Sequence, residues 1–384
     1  MRRRGFTMVE LMVALAVGAV VMAGVFIIFQ RSSSAFRVQS QIQRMNDDLR
    51  SALSHVRADL KMAGFLATPN SAVDPLACPA TDPLQALSLE LPMLDSGDDA
   101  DPVVNRTNNT NVQPLSLTLL GPYHTSRVFR TASVSGNQVT LLTADSLEVR
   151  ANYPGSQAEF DALFVPGRLL KLVNQDQRDM YVSIQAAEFG SGLVVVDPAL
   201  QPATADNTCG YQADGGRMEV ALLSFVRYRV GRDVRPGAPR NKTDLIREEL
   251  RLAGHDLVPV AGSQLHVAEY VVDLMLYDFV FDVGTAGAPN LLYYPTYDEG
   301  GVLNGDGTGR LERGSTAIPE KLRFVTVKLS TRTPEEDPST PFFPRAQPFG
   351  PLRLYEVNPS MNGCASVESL ATRVELTTFR QRGL

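Results

Sequence analysis

The chain has 384 residues, enough for one large domain or two ordinary ones, and its 44% hydrophobic and 20% charged residues are the composition of a globular protein. A formal net charge of -6 excludes a global basic footprint for nucleic acid. Positive charge is local, at Arg2, Arg3 and Arg4, and the acidic remainder argues against charge-driven binding to anionic lipid.

From Phe6 to Phe29 the only charged residue is Glu10. A span of this length crosses a bilayer as a helix, and the arginines before it stay cytoplasmic, so the rest of the chain is expected to be exported. Three ordinary readings fit part of the pattern. A cleaved signal peptide has a shorter apolar core with a small-residue cleavage site just after it, whereas this core runs on to Gln30 and Arg31. The pair Arg3-Arg4 brushes a twin-arginine signal, which Thr7 and Met8 do not support. A plain single-pass anchor explains the length and the arginines but not Glu10, because a carboxylate one turn into a membrane helix costs a few kcal/mol unless it snorkels or finds a partner.

The run Gly5-Phe6-Thr7-Met8-Val9-Glu10 followed by an apolar helix resembles the N-terminal signal of type IV prepilins and type II secretion pseudopilins. The resemblance implies that a prepilin peptidase cuts between Gly5 and Phe6 and that Phe6 is then N-methylated. It also implies that Glu10 pairs with the Phe6 amine of a neighbouring subunit, an ion pair that sets axial register because a lone carboxylate in an apolar bundle is costly. One departure stands out. Major pilins of this family commonly carry a Pro in the second half of the apolar segment, and here Gly24 is present but no Pro.

Beyond Arg31 there is no Pro up to Gly64, and Ile42, Met45, Leu49, Leu53, Val56, Leu60 and Ala63 recur at spacings of three and four. That is one face of an amphipathic helix, stopped by Gly64 with Pro69 a few residues on. Residues 6–64 are thus expected to form one helix of roughly 85–90 Å. A coiled-coil stem stays open as the other reading of the stripe, although its register is not strictly heptad.

After Gly64, residues 65–111 are rich in Pro, Asp, Asn and Ser and read as loops. Strand-like runs follow at 114–121, 126–134, 137–144, 167–173, 179–189 and 192–197, then at 217–231, 244–252, 270–283, 321–333 and 372–379. The expected fold is α+β: a long N-terminal helix packed on a mostly antiparallel β-sheet head with an inserted β-rich subdomain. The boundaries are a leader at 1–5, a membrane or filament-core helix at 6–29 and its amphipathic continuation at 30–64. A loop-rich connection at 65–125, a β-rich insertion at 126–216 whose part at about 126–200 reads as all-β, and a main head at 217–384 complete the division.

The second group of strands is similar to PilW-type minor pilins and J-type minor pseudopilins, from FVRYRVGRD through LIREELRL and VVDLMLYDFVFD to RFVTVKLSTRTPEED. The resemblance implies an inner-membrane protein with a periplasmic head that enters a pilus filament at its tip. Its implied partners are prepilin peptidase, minor and major pilins, an inner-membrane assembly platform and a tip adhesin, with pilus assembly, adhesion and twitching motility as the setting and no nucleic acid. The alternatives are a minor pseudopilin of type II secretion and a single-pass anchored periplasmic binding protein.

Catalytic patterns are missing. His55, His124, His255 and His266 are scattered, and no metalloprotease, P-loop or serine-nucleophile motif appears, so no enzyme is expected. Cys78, Cys209 and Cys364 form no CxxC pair, which argues against zinc; all three free, or one bridge in an exported domain, both stay open. The loop at Asn304, Asp306, Thr308 and Arg310 partly matches a calcium loop, with Gly309 at the sharp turn. The match breaks at Ser315, where a bidentate Glu is expected, and a bare Gly/Asn/Asp hairpin loop fits the same residues. Apart from this weak calcium candidate no cofactor is expected.

Overall fold

The computed structural model describes residues 8–71, 74–78, 87–90, 112, 114–143, 152–205, 207–212, 217–233, 235–239, 241–253, 256–284, 290–294, 321–337, 354–357 and 363–379. The chain divides into two units, Met1–Asp48 and Leu49–Leu384. One helix, α1 (Met8–Met62), supplies all the described secondary structure of the first unit and runs on into the second.

In the second unit, the last turns of α1 present the apolar stripe that the spacing predicts. Leu49, Ala52, Leu53, Val56, Leu60 and Ala63 are buried in one core with residues from two sheets. The helix stops where expected. Gly64 has φ of 73°, a left-handed conformation that favours glycine, its N–H donates to Leu120 O at 2.9 Å, and Phe65 N donates to Met62 O at 3.0 Å.

The first sheet contains β1 (Leu87–Glu90), β2 (Ser116–Gly121), β8 (Glu219–Arg232), β9 (Thr243–Ala253), β10 (Asp256–Pro259) and β11 (Leu265–Glu269), where β8 lies between β2 and β9. Five further strands continue it: β3 (Val128–Ser135), β4 (Gln138–Leu141), β5 (Leu169–Val173), β6 (Asp179–Glu188) and β7 (Leu193–Asp197). They run in the order β8-β3-β4-β7-β6-β5, and β5 returns to β8, so six antiparallel strands close a ring. Closure removes the open edges that a small sheet would otherwise expose.

β8 serves both structures. Its residues 219–223 pair with β3 and β5 inside the ring, and its residues 224–232 pair with β2 and β9 in the open sheet. The ring is filled by Val139, Leu141, Leu170, Leu172, Val182, Ile184, Val194, Val220 and Leu222. Phe160 and Phe164 cover it from a short helix, α2 (Gln157–Leu163), and its C-cap. The insertion at about 126–200 was expected to be all-β, and α2 corrects that: Ser156 caps the helix by accepting from Glu159 N at 3.2 Å.

The second sheet has the order β13-β12-β14-β16-β15, from β12 (Val271–Asp282), β13 (Leu291–Tyr294), β14 (Leu322–Arg332), β15 (Leu354–Tyr355) and β16 (Ala365–Glu375). All its pairings are antiparallel, so the fold is α+β with few helices. Two stretches differ from expectation. The region read as loops contains β1, four residues whose strand character comes from pairing with β2. The last strand begins at Ala365 and ends before a 3-10 turn at Thr377–Phe379, where Thr378 Oγ1 donates to Ala63 O at 2.5 Å and so satisfies a carbonyl at the end of α1.

Candidate membrane and assembly segment

The sequence concentrates apolar residues without interruption at the start of α1, and the structure leaves them uncovered. Met8–Gln30 is 23 residues with a mean hydropathy of 2.8, and none of it is buried. Phe26 is 60% exposed and Ile28 69%. At 1.5 Å per residue the segment measures about 35 Å, against a bilayer core of about 30 Å. Gly18 and Gly24 have open space where a Cβ would stand, so neither is required by packing among the described residues. α1 is unbroken through Gly24, as the missing Pro leads one to expect.

Glu10 sits exposed in the first turn of α1, where unpaired backbone N–H groups and the helix dipole favour a carboxylate. Gly5 and Phe6, the expected cleavage and methylation residues, lie outside the described residues. So do His255 and the loop at Asn304, Asp306, Thr308 and Arg310.

In the second unit several charged groups meet in paired clusters with buried members. On α1, Asp59 Oδ2 accepts from Tyr228 Oη at 2.6 Å and from Arg247 Nε at 2.7 Å, and its backbone carbonyl accepts from Tyr123 Oη at 3.1 Å. Burial, reinforced by the Asp59 charge, pushes the Tyr123 and Tyr228 hydroxyls up, so both remain protonated donors. Where the ring meets β9, Glu249 accepts from Arg168 Nε at 2.5 Å and Nη2 at 2.9 Å, and lies 3.1 Å from His124 Nε2. Burial alone would raise the Glu249 carboxyl, but the hydrogen bonds from His124 and Arg168 outweigh it and hold the group at about 2.

Among the described residues one cluster has metal-ligating side chains, Asp233, Asp244 and His266. Its negative charge is already met within the chain: Lys242 Nζ lies 2.9 Å from Asp233 and 3.6 Å from Asp244, and Arg235 Nη2 lies 2.6 Å and 3.2 Å from the same two carboxylates. The arrangement is an ionic network, and Lys242 stands where a cation would. None of these clusters was singled out in the sequence, because a charged residue inside a strand run carries no mark of what lies opposite. The alternating acids and arginines of LIREELRL were the available signal.

Cys78 and Cys209 form a disulfide with Cα atoms 5.6 Å apart, tying the segment after α1 to the ring across 131 residues. Cys364 takes no part in it and is buried; burial and the nearby Glu336, Asp337 and Glu356 push its thiol up, away from reactivity.

Residues 1–26 match the family model of the prokaryotic N-terminal methylation motif. No curated protein and no solved structure matches the chain. The matched motif implies processing by prepilin peptidase and interaction with other pilins, and it suggests a structural protein. A prepilin-type cleavage and methylation motif opening onto an exposed helix long enough to cross a membrane supports a membrane-anchored precursor of the type IV pilin-like or pseudopilin class.

Proposed function

We propose that the chain is a minor pilin of a type IV pilus, of the PilW type, cut between Gly5 and Phe6, methylated on Phe6 and incorporated at or near the filament tip. The observation that carries this reading is the methylation motif at residues 1–26 on an apolar segment with no buried residue. Such a segment needs a surrounding apolar phase, first lipid and then a bundle of like helices. Within that bundle Glu10 takes up the neighbouring Phe6 amine, which exists only after cleavage.

Two further observations support it. The Cys78–Cys209 disulfide fits a head folded in an oxidising compartment, the periplasm in this reading. A head of more than 300 residues would crowd every layer of a slim filament, which favours a low-copy position. The same motif serves pseudopilins, so a minor pseudopilin of type II secretion is the second reading.

Mass spectrometry of the mature N-terminus tests the processing. N-methylated Phe6 is expected; an intact Met1 or a cut near Ala35 overturns the proposal. In the native host, Glu10→Val should leave cleavage intact and reduce incorporation into pili, and wild-type incorporation would remove Glu10 from the assembly step. Purified pili then separate the two machines: the protein should be found in the pilus fraction, and its confinement to a secretion complex favours the second reading.

A further inference from the structure

The face of the open sheet turned away from α1 carries an unmatched positive charge. Side chains alternate along a strand, and Tyr228 on β8 reaches Asp59 of α1, so Arg227 and Arg229 on either side of it point to the opposite face. Both arginines converge on one carboxylate of the neighbouring β9. Glu248 Oε1 accepts from Arg227 Nε at 2.8 Å, from Arg227 Nη2 at 2.6 Å and from Arg229 Nε at 2.9 Å. Its other oxygen, Oε2, accepts from Gln264 Nε2 at 3.2 Å. The Glu248 side chain is 0% exposed, whereas those of Arg227 and Arg229 are 23% and 31% exposed. Burial alone would raise the Glu248 carboxyl, but the hydrogen bonds from Arg229 and Arg227 outweigh it, so the group stays ionised beneath them. Gly231 leaves room for this arrangement, since a Cβ there would overlap Arg229 Nη1.

The balance of charge sets this cluster apart. In the other ion pairs among the described residues, each Arg or Lys has at least one carboxylate of its own. Arg235 and Lys242 even share three, Asp233, Asp244 and Glu269. At Glu248 two guanidiniums share one carboxylate, so one positive charge is unmet. Arg227 Nη1 and both Nη atoms of Arg229 have no acceptor among the described residues. Guanidinium edges bind carboxylates through parallel hydrogen bonds, and edges already fixed in place lose less entropy on binding. One unmet charge suits a carboxylate better than a doubly charged phosphate. An open sheet face also gives a free anion no enclosure, so the carboxylate must bring further contacts with it. We propose that this face docks an acidic segment of another protein, with an Asp or Glu carboxylate of that segment taking the outer edges of Arg227 and Arg229. The proposal is independent of the pilus assignment.

Isothermal titration calorimetry on the full chain in neutral detergent micelles tests it, with acetyl-Gly-Glu-Gly-Glu-Gly-amide, the same peptide with Gln for Glu, and inorganic phosphate as probes. Saturable binding of the Glu peptide, weakening as salt is raised, is expected, and none of the Gln peptide. Arg229→Gln leaves Arg227 on Glu248, so the buried carboxylate keeps a partner. That variant should bind the Glu peptide about tenfold more weakly at an unchanged urea midpoint. Arg229→Lys keeps the charge without the planar fork and should restore binding only in part. Arg130→Gln, at an exposed position of β3, should leave binding unchanged. Absence of saturable binding, equal binding of the Gln peptide, full affinity in Arg229→Gln or Arg229→Lys, or an equal loss in Arg130→Gln overturns the proposal. Phosphate binding as tightly as the Glu peptide overturns it too, because a free anion would then suffice.

Discussion

The two ends of α1 share one secondary structure and have opposite fates. In Met8–Gln30 apolar residues point in every direction and none is buried. In the last turns they fall on one stripe, and Leu49, Val56 and Leu60 are completely buried against the sheets. The hydrogen-bonding pattern of the helix is indifferent to this difference; the distribution of side chains around it decides. An all-round apolar helix has no face to give to water, so its partner must surround it, whereas a striped helix is satisfied by a single surface. The first end is thus shaped for association outside the head, and the second for permanent attachment to it.

Paired truncations test that contrast most severely. Leu60→Ala, at a completely buried position, should destabilise the head by about 2–5 kcal/mol, read as a lower urea midpoint of the full chain in micelles. Val20→Ala, at a position 73% exposed, should leave that midpoint unchanged within about 0.5 kcal/mol. Similar losses in both variants would mean that the apolar end contributes to the folding of the head and would remove the distinction.

Two carboxylates of α1, Asp59 and Glu10, divide in the same way, with a smaller effect. Asp59 joins the helix to β8 and β9 through Tyr228 and Arg247, and its side chain is 17% exposed. Asp59→Ala leaves a half-buried guanidinium and a buried phenol without their acceptor, and should cost about 2–3 kcal/mol in the same urea titration. Glu10→Gln should leave the titration unchanged, since Glu10 is exposed and lies in the other unit. A loss of head stability from Glu10→Gln would contradict a role confined to assembly.

How much of this was legible before the structure depended on the range of the interactions. The helix was readable end to end, because the stripe from Leu49 to Ala63 repeats within one turn and Gly64 stops it locally. Most long strands were readable from their own apolar content. Short β1, β10, β11 and β13 were not, since four or five residues are defined by the strand they pair with. The start of β16 is polar, ASVES, and becomes a strand by lying along β14. Ring closure depends on β5 and β3 meeting the same residues of β8 from two sides, a long-range fact that no local pattern encodes. The same holds for Cys78 finding Cys209 and for Asp59 finding Arg247. Glu10, proposed for the assembly pair, was conspicuous in the sequence because a single carboxylate in an apolar run stands out against its neighbours. Glu248 and Glu249, buried among strand residues, were not.

The smallest difference between the ends of α1 lies in their glycines. Gly64 holds φ of 73°, where a Cβ meets the backbone, so Gly64→Ala should cost the head about 1 kcal/mol. Gly24 lies within the helix with open space around its Cα. Gly24→Ala should leave the urea midpoint of the head unchanged, because nothing among the described residues lies within 4 Å of the Cβ it adds. Filament incorporation in the native host is the informative readout for that variant. If neighbouring helices pack closely at Gly24, the added methyl group should lower incorporation while cleavage proceeds normally. That outcome would show that the exposed end of α1 is fitted to its neighbours as closely as the buried end is fitted to its own sheets; wild-type incorporation would limit close fitting to the buried end.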